Sequence, residues 1–230
     1  MPHDFLASYD IKLAEYAIAI SFLLSFIPFW RFLNGGKQLE KAVALPKAAP
    51  AVEREIGFAV PEALLFHPGH AWARFEGATA LVGMSDFAQK LVGAIQAIDV
   101  PAAGATVGQG EKGWTLKVDG QELEMLSPVD GKVVAVNDKV LANPQLAKTD
   151  PYGEGWLLKI ESQRAAANAK HLLSFKAARR HLEDAWLELR SRLDPQLGLA
   201  MQDGGAPVDG LAKGIDANGW VAIVKKHFLT

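Results

Sequence analysis

The sequence has no cysteine and six histidines, so its reactive side chains are imidazoles, amines and carboxylates. Without thiols it can build no disulfide framework, zinc ribbon, iron–sulfur cluster or cysteine nucleophile, and a redox role would need another carrier. His67 and His70, in Phe66-His67-Pro68-Gly69-His70, are close enough in sequence to suggest metal ligation. The intervening Pro-Gly makes a turn rather than a helix face, however, and no third ligand stands nearby, so no metal site is expected. The acidic pairs Glu122/Glu124 and Glu183/Asp184 read as solvated faces. No Ser/His/Asp spacing and no phosphate-cradling glycine motif is present; Gly108-Gln109-Gly110 is only two glycines of a loop. The expectation is therefore a non-enzyme, with no catalytic residue and no small-molecule substrate. Among the amines, Lys112 and Lys117 lie in a β-type run that ends in Asp119-Gly120, the preferred centre of a two-residue type I′ hairpin turn. That turn puts Lys117 on the strand face, not at the tip.

The elements that must position these groups follow from composition and periodicity. Half of the 230 residues are apolar, enough for a real core in one or two domains. Lys plus Arg (24) nearly balance Asp plus Glu (26), which excludes the basic footprint of a nucleic-acid binder. From Tyr16 to Leu33 the chain is apolar apart from Ser21, Ser25 and Arg31, long enough to cross a hydrocarbon core of about 30 Å. A single membrane span over 16–33 is expected, with Tyr16, Trp30 and Arg31 as interfacial anchors and Pro28 tolerated near its end. Its small residues, Ala17, Ala19, Ser21 and Ser25, would permit close packing on a partner helix. Acids precede the run and Arg31, Lys37, Lys41 and Lys47 follow it. The positive-inside rule then puts the N-terminus outside and the soluble part in the cytoplasm.

Residues 34–57, rich in Ala, Pro and charge, read as a linker. From 58 to 162, short β-type runs such as AWARF, TALVGM, GWTLKV and GKVVAV alternate with Gly, Pro, Asn and Asp turns, the rhythm of a β-sandwich or barrel. Residues 163–230 form a C-terminal part. Within it Phe175, Ala178, Leu182, Ala185, Trp186, Leu189 and Leu193 recur at helical spacing, predicting an amphipathic helix over 164–193, ended by Asp194-Pro195, that docks on the β-domain. A Gly-rich tail with no assigned role follows.

Several phrases of the β-region occur together and in order: His70-Ala71-Trp72, Val82-Gly83-Met84-Ser85-Asp86-Phe87-Ala88-Gln89, Ser127-Pro128-Val129-Asp130-Gly131-Lys132-Val133, Asn143-Pro144-Gln145-Leu146 and Asp150-Pro151-Tyr152-Gly153-Glu154-Gly155-Trp156-Leu157. As a set, over residues 64 to 161, they resemble the glycine cleavage system H protein family. The resemblance implies a mainly β fold, a lipoyl/biotinyl-like hybrid β-sandwich, here with an N-terminal transmembrane helix and a C-terminal amphipathic helix. It also implies a lysine at the tip of a β-hairpin, eight residues before the Pro of the Ser-Pro-Val turn, that carries lipoic acid in amide linkage. Counting back from Pro128 reaches Gly120. The hairpin is kept and its handle is absent, so no lipoate is expected, and Asp119 and Gly120 become the tip available for contacts.

Two functions follow as expectations. The first is a non-catalytic, membrane-anchored module. It would serve as an unlipoylated scaffold or docking subunit of a membrane-associated protein complex, one handling electron transfer or one-carbon chemistry by analogy. The alternative is a lipoyl group carrier modified at the displaced Lys117.

Overall fold

The computed structural model describes Ser21, Val52, Glu53 and residues 57–192 and 207–230. Apart from Ser21, which is helical, the expected span over 16–33 lies outside the described residues. Among the described residues no helix is long and apolar enough to cross a membrane. Residues 45–230 form one compact unit.

Short strands at the expected spacing build the body. In chain order they are β1 (Val52–Glu53), β2 (Val60–Pro61), β3 (Leu65–Phe66), β4 (Ala71–Glu76), β5 (Thr79–Met84), β6 (Ala97–Asp99), β7 (Thr106–Val107), β8 (Lys112–Val118), β9 (Gln121–Leu126), β10 (Gly131–Val136) and β11 (Leu158–Glu161). A six-stranded antiparallel sheet runs β3-β4-β5-β11-β10-β7, a three-stranded one runs β6-β8-β9, and β1 pairs with β2. The body is thus mainly β and sandwich-like. β4 and β5 are buried along nearly their whole length, as strands must be when both faces of their sheet are covered.

Packing explains the shared phrases. Trp72 pairs across strands with Gly83, and a Cβ on Gly83 would meet the indole at 2.8 Å, so the bulky residue requires the bare one. The buried indole Nε1 donates to the carbonyls of Met84 and Pro151, each at 3.0 Å. Tyr152, from the same loop, donates its hydroxyl to the Ala59 carbonyl at 2.6 Å and accepts from the Asp86 amide at 3.0 Å. Burial pushes this phenol well above its ordinary range, so it stays protonated. Asp86 opens helix α1 (Asp86–Val92), whose N-cap Ser85 accepts from the Ala88 amide. In the Asp150 loop, the carboxylate accepts from the amides of Gly153 and Glu154, a local Asx-type closure. Short helices α2 (Asp138–Ala142) and α3 (Gln145–Thr149) complete this edge.

The C-terminal part differs from its sequence reading in two ways. The single helix expected over 164–193 is two, α4 (Ala165–Lys170) and α5 (Phe175–Ser191). Asn168 near the end of α4 is buried, donating to Asp130 and Ser162, and this polar joint ties the helix to the Ser-Pro-Val-Asp turn. α5 buries Ala178, Leu182, Ala185, Trp186 and Leu189 and lies against β2 and β3, with Trp186 edge-on to Phe58 at 5.7 Å. Beyond it the Gly-rich tail is not featureless. Its last part forms α6 (Leu211–Ile215) and α7 (Trp220–Phe228), which pack on each other, on α1 and across β9.

Tyr152→Phe leaves a buried carbonyl and a buried amide without their shared partner. The expected loss is about 1–3 kcal/mol of unfolding free energy in urea titration; a loss under about 0.5 kcal/mol would show that this bridge is not a joint of the fold.

Candidate functional site

The hairpin β8–β9 presents the tip to which the carrier position was assigned. Its register runs Trp114↔Met125, Leu116↔Leu123, Lys117↔Glu122 and Val118↔Gln121, leaving Asp119 and Gly120 as a two-residue turn. Both have positive φ, 47° and 73°, as a type I′ turn demands. Leu116, Val118, Leu123 and Met125 point inward and are fully buried, while Asp119, Gly120, Gln121 and Glu122 are exposed. Nothing lies within 4 Å of a Cβ built on Gly120. Space is therefore available for a side chain at this tip; the backbone conformation is what favours glycine.

The two candidate amines are both engaged. Lys117 Nζ lies 2.6 Å from Asp99 Oδ2 on the neighbouring strand β6, and Lys112 Nζ lies 2.5 Å from Glu124 Oε1 across the hairpin. The hydrogen bond to Asp99 holds the Lys117 ammonium above its ordinary range, and that to Glu124 does the same for Lys112. Each is a protonated partner on a strand face. At the tip the Asp119 carboxylate is in contact with Lys213 of α6, whose Nζ also stands 4.7 Å above the ring of Trp220 in α7. Sequence reading missed Lys213 and Trp220, which lie more than ninety residues away in a segment with no local signal. Of the acidic pairs, Glu124 bonds Lys112 and Glu183 lies 3.7 Å from Arg179; all four carboxylates are at the surface or partly so.

His67 and His70 do flank a turn, with the His70 amide donating to the His67 carbonyl at 2.9 Å and His67 Nδ1 accepting from the Gly69 amide at 3.0 Å. The tertiary structure adds two imidazoles that the sequence kept apart: His181 of α5 stacks on His70 at 5.3 Å, and His227 of α7 lies 6.0 Å from it. His181 Nε2 is 2.9 Å from the Pro68 carbonyl. The rings stack and tilt rather than converge on a point. Among the described residues no group of three or more His, Asp or Glu side chains could hold a metal ion.

The comparisons bear on this geometry directly. The model of the glycine cleavage H-protein family matches residues 64–185, just over half of the chain. The chain belongs to the glycine cleavage H-protein family. Similar proteins include the glycine cleavage system H protein of Bacteroides thetaiotaomicron, 38% identical over 117 residues, which are 51% of this chain and 92% of that protein. That of Rubrobacter xylanophilus is 35% identical over 125 residues, 54% of this chain and 96% of that protein. Among solved structures, a glycine cleavage system H protein from Mycobacterium marinum aligns with 54% of this chain and 98% of its own, at 24% identity and a TM-score of 0.47.

The H-protein match contains the hairpin, the Ser-Pro-Val turn and the Asp150 loop, and most of α5. It ends before α6 and α7. Lys213, Trp220 and His227 are thus supplied to this H-protein body by a segment outside the matched region.

Gly120→Ala meets no atoms but places an L side chain at φ 73°. A destabilisation of about 1 kcal/mol in denaturant unfolding is expected. An unchanged midpoint would mean that the turn relaxes freely and does not enforce glycine.

Proposed function

We propose that this H-protein family member is a non-enzymatic docking module, one that presents the family's hairpin without a prosthetic group at its tip and works through contacts with protein partners of a larger assembly. The observation that carries the reading is the Asp119-Gly120 turn. Its two positive φ values suit Asp-Gly, its glycine stands where the resemblance would put the acceptor lysine, and its aspartate is held by Lys213. A ligase that attaches an acyl group in amide linkage needs an extended, free amine. Lys117 offers an ammonium on a strand face, paired with Asp99.

A second reading has its own support. Relatives 35–38% identical over at least 92% of their length are named as glycine cleavage system H proteins, and family membership therefore favours a lipoyl group carrier, which in this chain would have to be modified at Lys117. Family membership supports the carrier and hairpin geometry supports the docking module.

Intact mass of the chain purified from its native host separates them. The docking reading expects the unmodified mass. An adduct of about 190 Da on Lys117 would replace it with the carrier reading. Treatment with a lipoate ligase and lipoate sharpens the contrast, because Gly120→Lys restores an amine to the open tip. That variant should gain the adduct while the parent chain stays unmodified; equal labelling of both would remove the argument from tip geometry.

Attachment to a membrane through residues 16–33, with the β-domain on the cytoplasmic side, belongs to the same proposal. It is supported by the length, apolarity and flanking charges of that run. The full chain should remain in the membrane pellet after an alkaline carbonate wash, and release into the supernatant would sink the anchor.

A further inference from the structure

His70 occupies an unusual place. It follows the Pro68-Gly69 turn at φ 64°, a conformation rarely adopted by residues other than glycine, and is 5% exposed. Its ring meets three helices at once: Phe87 of α1 at 4.2 Å, His181 of α5 at 5.3 Å and His227 of α7 at 6.0 Å. The same turn abuts the end of α7, since a Cβ on Gly69 would lie 2.5 Å from the Phe228 carbonyl oxygen. The turn is a socket for the C-terminal helix. Nε2 of His70 and Nε2 of His227 are both buried without a hydrogen-bond partner. A neutral ring nitrogen tolerates that more readily than a protonated one, which would be a buried charge with no acceptor.

We propose that His67, His70 and His227, packed against His181, form a proton-sensitive latch: while their imidazoles are neutral, α6 and α7 stay packed on α1 and β9, and their protonation in mildly acidic solution releases α6–α7, which frees the exposed tip from Lys213 and bares the part of β9 that α7 covers.

The charges around the cluster act in both directions. The titratable groups that act on His70 are the imidazoles of His181, His227 and His67. Facing His227 are Glu188, Lys226, His181 and Arg192. Glu188 already bonds Lys226 at 2.5 Å and Arg192 at 2.6 Å. The hydrogen bond to Lys226 keeps the Glu188 carboxyl below its usual range, so this α5–α7 ion pair persists in mild acid and opposes opening. The groups that change charge are the imidazoles of His67, His70 and His227. Burial first, then the neighbouring imidazoles, depresses His70 well below the ordinary imidazole value of 6.5, and burial lowers His67 and His227 as well. A depressed value in the closed form means that the open form binds protons more readily. Closure is therefore fully stable above about pH 6.5 and weakens as pH falls below it towards the depressed values. α5 is anchored away from the cluster by Trp186 on Phe58 and by Leu189, and release of α6–α7 has to offset the burial of Leu211, Val224 and Phe228. Lys213 leaves Asp119 when α6 moves. The latch does not depend on which group, if any, the hairpin bears.

Hydrogen–deuterium exchange on the full chain at pH 7.5 and pH 5.0, corrected for the chemical pH dependence of exchange, tests this. Residues 211–228 should exchange at least tenfold faster at pH 5.0, while β4 and β5 keep their protection. The double variant His70→Phe/His227→Phe, which retains aromatic packing, should abolish the pH effect. Unchanged protection of 211–228 at pH 5.0 overturns the latch. So does loss of protection throughout β4 and β5, which would be global acid unfolding, and so does a pH effect that persists in the double variant. If that variant does not fold, imidazole titration of the parent chain by NMR decides. His70 and His227 titrating below 6.5 in step with the loss of α7 signals supports the latch, and titration uncoupled from those signals removes it.

Discussion

Two residues join β8 to β9 in a type I′ turn, which needs positive φ at both, and Asp119-Gly120 meets that demand. The turn fixes the register, and the register sends Leu116, Val118, Leu123 and Met125 inward while Lys117 and Glu122 stay on the outer face. A one-residue slip would bury Lys117 and expose the apolar set. The same backbone constraint that makes the hairpin regular favours a glycine where the resemblance would put an attachment lysine. A tip lysine would carry the strain of a left-handed L residue, although the space around it is open.

The rest of the body is held by a small number of buried polar joints that connect segments far apart in sequence. Trp72 binds two carbonyls, Tyr152 bridges Ala59 and Asp86, and Asp130 gathers Ser162 and Asn168 with Arg164 at 3.2 Å. Each joint satisfies groups that would be costly to bury alone. Trp72, Asp86, Asp130 and Tyr152 stand in the phrases that resemble H proteins, and there they hold the scaffold together. Surface ion pairs such as Lys117–Asp99 add little to stability in water.

The segment beyond the family match changes the surface that a partner meets. α6 and α7 cover β9, Lys213 reaches the tip, and His227 joins a buried imidazole cluster. A partner that met the hairpin tip, as proposed above, would meet Lys213 there as well.

Local pattern was enough for much of this protein. Short β-type runs between turn residues marked β4, β5, β8 and β10; the Asp-Gly dipeptide announced the type I′ turn; helical spacing marked α5; and the linked phrases pointed to the family, because turn chemistry and period are properties of neighbouring residues. The break between α4 and α5 escaped that reading, since the residues between them are held by Leu173, which exchanges backbone hydrogen bonds with Phe66 of β3, more than a hundred residues back. So did the meeting of His67, His70, His181 and His227, and the grip of Lys213 on Asp119. No spacing rule links residues so distant along the chain; only the packing of α5 and α7 on the β body brings their side chains within a few ångströms, and so only the tertiary structure could decide which groups share an environment.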